Sequence, residues 1–122
     1  MKRNTVKLFI AMLVASALAS CGDDDMGYPD RLVFGKDGGT IVVRGKTAIN
    51  HVDIVDYDGN TDGGTEMVGD SLFATCQWLS VKAKIYTPEL IITAKPSDGG
   101  KKRTLYIGVS DGPDFQDIVV EQ

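Results

Sequence analysis

Apolar and polar residues alternate with a period of two in short runs of this chain, and beyond residue 30 no long stretch carries heptads or helical spacing. Leu79, Val81, Ala83 and Ile85 share one face of a run whose other face is Trp78, Ser80, Lys82 and Lys84. Leu105, Ile107 and Val109 alternate with Thr104, Tyr106 and Gly108, and Ile118 and Val120 alternate with Asp117, Val119 and Glu121. Successive side chains of a strand point to opposite faces, so each run buries one side and wets the other. The runs predict strands near 32–34, 40–44, 50–56, 77–85, 89–95, 103–110 and 115–122, with a further one near 66–72. Gly, Asp, Asn and Pro clusters separate them. Seven or eight short strands with turn signals every 8–12 residues predict an all-β chain, a β-sandwich of immunoglobulin-like architecture rather than a barrel. It is read as a single domain over 31–122, large enough for its own core.

The start of the chain has a different character. Lys2, Arg3 and Lys7 precede an uncharged, mostly apolar run over residues 8–19, the two parts of a secretory signal. Twelve residues are too few to cross a bilayer, which takes roughly 20. Leu18-Ala19-Ser20-Cys21 resembles the bacterial lipobox, and that resemblance implies removal of 1–20 and acylation of Cys21 as the new terminus. Residues 21–30 (CGDDDMGYPD) are polar and broken by Gly27 and Pro29, which predicts a flexible tether.

Charge and cysteine content narrow the partners. Loss of Lys2, Arg3 and Lys7 leaves 10 basic against 17 acidic residues, a mature net charge of −7. A body of that sign repels nucleic acid and anionic lipid, so no nucleic-acid partner is expected and the acyl group makes the membrane contact. Two or more acyl chains hold a protein durably, at about 0.8 kcal/mol per buried methylene. With Cys21 acylated, Cys76 has no intrachain partner and reads as a small buried hydrophobe. His51 is equally isolated, and no cofactor is expected.

The second half resembles a known family. Trp78-Leu79-Ser80-Val81, the apolar run 90–94, the polar turn 96–102, the Arg103-led strand to Val109, and the closing Ile118-Val119-Val120-Glu121-Gln122 are similar to the pattern of the BACON domain (Bacteroidetes-associated carbohydrate-binding often N-terminal). Phe34 followed by Gly38-Gly39-Thr40-Ile41-Val42-Val43 resembles the opening strands of that family. The resemblance implies an immunoglobulin-like sandwich and a role in glycan or mucin binding. Trp78 is the one tryptophan, where the family usually has another in its first half. The acidic run Asp23-Asp24-Asp25 resembles the signal that exports lipoproteins of BACON-bearing bacteria to the cell surface. A solvated linker has the same letters, so outer-membrane anchoring is expected with the surface favoured and the periplasmic face open.

Candidate sites follow from residue chemistry. A shallow sugar site needs an exposed aromatic face and planar polar partners for hydroxyl groups. By alternation Trp78 and Tyr106 point outward, with Arg103 and Lys102 expected near Tyr106, and Tyr57 and Tyr86 are alternatives. Trp78 capping the core at a strand end is the competing reading. Asp58, Asn60, Asp62 and Gly63 form D-x-N-x-D-G, the opening half of a calcium loop. Position twelve is Gly69 in place of the bidentate glutamate, and turn chemistry explains the same residues. No serine–histidine–acid spacing, phosphate loop or His/Cys cluster is present, so the chain is not expected to be an enzyme. Two roles compete: a glycan-binding surface lipoprotein, which needs an exposed aromatic, or a structural module of an outer-membrane assembly with a protein partner. The second expects a buried Trp78 and an uncovered edge strand.

Overall fold

The structure, a computed structural model, describes residues 26–122. The signal segment 1–20, the acylation site Cys21 and the run Asp23-Asp24-Asp25 lie outside the described residues. Nine strands form: β1 (Arg31–Val33), β2 (Gly39–Ile49), β3 (His51–Val55), β4 (Gly64–Val68), β5 (Ser71–Cys76), β6 (Leu79–Lys84), β7 (Thr87–Ala94), β8 (Thr104–Ser110) and β9 (Phe115–Glu121). They build a four-stranded sheet in the order β1-β9-β8-β3 and a five-stranded sheet in the order β2-β7-β6-β5-β4. Every pairing is antiparallel except β1 with β9, which is parallel. The two sheets face each other as an all-β sandwich with no closed barrel.

Strand alternation places the core as the sequence predicts. Leu79, Val81 and Ala83 of β6, Leu105, Ile107 and Val109 of β8, and Ile118 and Val120 of β9 are all buried in one cluster, whereas Ile85, expected with the first three, falls in the turn after β6 and is half-buried. Cys76 is a buried free thiol in that cluster. Each fully buried aliphatic side chain contributes about 1.5–3 kcal/mol relative to exposure.

Three strand boundaries differ from expectation, each for a local reason. The strand expected over 66–72 is a hairpin, because Gly69 adopts a left-handed φ of 64° and turns β4 back onto β5. The strand expected from residue 77 begins at Leu79, since Cys76 pairs with Leu79 and leaves Gln77 and Trp78 as the connection. Gln77 sits at φ 54° and Tyr86, in the next connection, at φ 66°, turns that no glycine announces. Finally, β2 continues to Ile49 through a bulge, because Arg44 pairs with Glu89 and Ile49 with Thr87.

That bulge anchors the segment leading into β1. The N–H groups of Lys46 and Thr47 both donate to the Met26 carbonyl, at 2.8 and 3.3 Å. Met26 and Tyr28 are among the largest fully buried side chains. Gln116, the buried polar side chain among the described residues, accepts from Tyr28 N–H at 3.1 Å and donates to Tyr28 C=O at 2.7 Å. The Tyr28 hydroxyl donates to Thr47 C=O at 3.1 Å, and burial pushes its pKa up to about 12. The tether expected over 21–30 is therefore corrected: from Met26 onward the chain is docked in the fold.

The register also defines two ends. Residues 26–28, the bulge of β2, and the turns at 69–70, 85–86 and 111–114 share the entry end. Residues 35–38, the Gln77-Trp78 turn, the loop 95–103 and Gln122 share the far end.

Candidate functional site

The outer face of the four-stranded sheet carries the chemistry. Pairing aligns Arg31, Val119, Tyr106 and Val55 in one row across β1, β9, β8 and β3. The adjacent row is Asp117, Gly108 and Asp53. Gly108 lacks the side chain that would separate the two carboxylates, and a Cβ there would lie 2.7 Å from Asp53 Oδ1. Burial first, and the charge of Asp53 second, raise the Asp117 pKa above the ordinary carboxylate value. Beside this row opens a cleft of about 300 Å³ lined by Val55, Asp56, Tyr57, Gly59, Tyr106 and Asp117.

The loop bearing Tyr57 owes its shape to Asp56. One carboxylate oxygen, Oδ1, accepts from the N–H groups of Asp58 and Asn60, both at 2.9 Å, and Asp56 N–H donates to Asn60 C=O at 2.9 Å. This is an Asx turn closed by Gly59 at φ 84°. It leaves Tyr57 86% exposed at the mouth of the cleft. The calcium pattern thus resolves into turn contacts: Asp58 and Asn60 enter through their backbone amides, and Asp62 Oδ1 accepts from Gln77 N–H at 3.0 Å. Among the described residues no group of three or more His, Cys, Asp or Glu side chains is placed to hold a metal ion.

Trp78 and Arg103 form a different feature. Trp78 lies in the β5–β6 turn, only 5% exposed, so the outward position inferred from alternation is corrected: the strand that would have supplied the alternation starts after it. Arg103 covers the indole, with its guanidinium carbon 4.7 Å from the ring centroid. Its Nε donates to Gln122 Oε1 at 2.8 Å, and its Nη2 donates to that oxygen and to the carbonyls of Lys95 and Pro96, each 3.3 Å away. Gln122 Nε2 in turn donates to Gly35 C=O and Lys95 C=O, both at 2.9 Å. Arg103 and Trp78 therefore belong to a clasp at the far end, and Tyr106 stands apart from them with Tyr57. Lys102 turns to Glu121, 3.7 Å away. Tyr86 is exposed at the entry end, and His51 Nε2 lies 3.8 Å from Asp53 Oδ2.

Asp117 and Asp53 were not singled out by sequence reasoning. Their outward parity is legible in the alternation, and Gly108 in the middle of an apolar-polar strand is the one local signal that something lies across it. Their pairing needs the β3-β8-β9 register.

No family model matches the chain, and no curated protein matches it. Among solved structures it is similar to the NMR structure of a protein from Bacteroides thetaiotaomicron, at 18% identity and a TM-score of 0.49, over 76% of this chain and 75% of that one. The BACON resemblance rests on the sequence residues that carry it.

Proposed function

We propose that this chain is a lipid-anchored, non-catalytic β-sandwich of the BACON type that holds neutral glycans in the cleft between Tyr57 and Tyr106. The observation that carries this reading is the pairing of two tyrosines with the Asp117 carboxylate around one shallow opening. Tyrosine rings accept the C–H faces of a sugar, and a carboxylate accepts hydroxyl donors. Asp53, Asp56, Asp58 and Asp117 make the surroundings negative, so uronic, sialic and sulfated sugars are disfavoured relative to neutral ones. Cys21 carries the lipid, and the body hangs from the outer membrane on the cell surface.

Titration of the chain with an array of neutral and acidic oligosaccharides tests the reading. Binding of neutral glycans, weakened at least about tenfold by Tyr106→Ala and by Tyr57→Ala, is the expected result. Absence of binding across the array overturns it.

A second reading has its own support in the buried Trp78 and in the β4 edge, which pairs with no further strand although Thr65 Oγ1 donates to Val52 C=O of β3 at 2.7 Å; Glu66 is the one charge in GTEMV, and Met67 and Val68 are exposed. Such an edge accepts a strand from a partner protein. Recovery of an outer-membrane protein by crosslinking at Met67, with no glycan bound, would favour that role.

A further inference from the structure

The docking of Met26 limits how far the sandwich stands from its anchor. If Cys21 sits at the bilayer surface, only residues 22–25 separate it from a residue fixed in the fold. A fully extended chain advances at most about 3.6 Å per residue, so the five steps from Cys21 to Met26 cover no more than about 18 Å. The eight residues of β7, which lie alongside the whole of the bulged β2, run roughly 27 Å at the usual rise of an antiparallel strand. The tether is thus shorter than the body it holds, and it enters at one end.

That end is also apolar in a particular way. Tyr86 is 73% exposed in the turn before β7, Phe115 is 59% exposed at the first position of β9, and Val68 is 56% exposed at the last position of β4. All three backbones lie at the entry end, because Tyr86 N–H donates to Ile49 C=O, Phe115 pairs with Ser110, and Val68 pairs with Ser71; the Phe115 ring lies along the outer sheet face beside Gly108. Exposed tyrosine and apolar side chains are the ones that settle at the headgroup level of a bilayer. Lys46 and Lys84 against Asp70, Asp111 and Asp114 leave that end with a small negative excess, which selects an uncharged or zwitterionic surface.

We infer that the entry end is a lipid-facing surface, resting through Tyr86, Phe115 and Val68 on the zwitterionic interface of the membrane that holds the anchor. The inference rests on the lipid-anchor reading of Cys21. It places the cleft at Tyr57 and Tyr106 on the flank of the sandwich and the Arg103–Trp78 clasp on the side away from the bilayer.

The test uses the full chain processed in cells and reconstituted into phosphatidylcholine vesicles, with and without bromine on the acyl chains. Tryptophan is introduced by Tyr86→Trp, Phe115→Trp or Tyr57→Trp; all three side chains are exposed, so the fold tolerates them. Brominated lipid is expected to reduce the added emission about twofold or more at positions 86 and 115 and to leave position 57 and Trp78 unchanged, given a burial depth of ~5–10 Å. Vesicle-bound chain with equal quenching at all three positions, or none at 86 and 115, overturns the inference alone. Chain that neither floats with vesicles nor carries acyl mass on Cys21 overturns the anchor and the inference together.

Discussion

The Arg103 guanidinium lies over the Trp78 indole, 4.7 Å from the ring centroid, and ties the β7–β8 loop to Gln122 at the same time. The contact joins the two sheets at the end opposite the docked amino-terminal segment. Arg103→Ala removes a cation–π contact and the hydrogen bonds to the part-buried Gln122 Oε1 and to the exposed carbonyls of Lys95 and Pro96, so a loss of about 2 kcal/mol is expected. Arg103→Lys recovers little of it, because an ammonium has no planar fork to stack and bridge at once. Denaturant unfolding measures the loss, and a red shift of Trp78 emission in the folded variant reports the uncovered ring.

Gln116 is the polar group on which the segment before β1 depends. Gln116→Ala leaves both the N–H and the C=O of Tyr28 without their side-chain partner in a buried setting. A cost of about 2–4 kcal/mol is expected. Hydrogen exchange should speed up at Tyr28 and at Lys46 and Thr47, which donate to Met26, while the β8 amides keep their protection relative to global stability.

Gly45 tests the same docking from the other side. A Cβ at this position would lie 2.5 Å from the Tyr28 ring, although the backbone there needs no left-handed conformation. Gly45→Ala is expected to cost about 1–3 kcal/mol by overpacking. Truncating the ring at the same time removes the clash, so thermal melts of Gly45→Ala, Tyr28→Ala and the double variant should be strongly non-additive.

Alkaline pH acts through Tyr28. Its folded pKa of about 12 exceeds the ordinary value of 10.0, so the folded state holds the phenolic proton more tightly than the unfolded chain. Stability is fully present below pH 10 and falls as pH rises to about 12, by roughly 2 kcal/mol from this group. Tyr28→Phe should flatten that window in a pH series of denaturation midpoints, at the expense of the hydroxyl bond to Thr47.

Asp117 shifts in the same direction with the opposite consequence at neutral pH. A carboxyl whose folded pKa is raised prefers its neutral form, so the fold is disfavoured by this group once pH passes the ordinary carboxylate range. Asp117→Asn should raise stability at pH 7 by up to ~0.5 kcal/mol, the scale of an exposed site, and the gain should vanish in acid. The same variant should weaken glycan binding if Asp117 accepts from a sugar hydroxyl.

Much of the sandwich is readable from alternation alone, because strands such as β8 and β9 have one buried face and a period of two cannot slip without exposing it. One misplaced boundary passes over Gly69, whose turn splits 66–72; others fall where a turn carries no turn residue. Gln77 and Tyr86 adopt left-handed backbone that sequence assigns to glycine or asparagine, and Trp78 was displaced from its face as a result. Met26 and Tyr28 read as tether because their neighbours are polar and small; the groups that dock them, Lys46, Thr47 and Gln116, lie far along the chain. Tyr106 could be named as outward, whereas its company of Tyr57 and Asp117 is a product of pairing between distant strands.

The parallel pairing of β1 with β9 has a mechanical side. Arg31 aligns with Val119 and Val33 with Glu121, so the strand nearest the chain's start and the strand nearest Gln122 lie side by side and point the same way. Phe34 N–H to Glu121 C=O and Val119 N–H to Asp30 C=O fasten them, together with the ion pair of Arg31 and Glu121. Force applied between the segment before β1 and Gln122 slides these strands along each other. The hydrogen bonds are then loaded together in shear instead of being opened one by one, which makes this pair the latch that a pull meets once the contacts of Met26 and Tyr28 have given way.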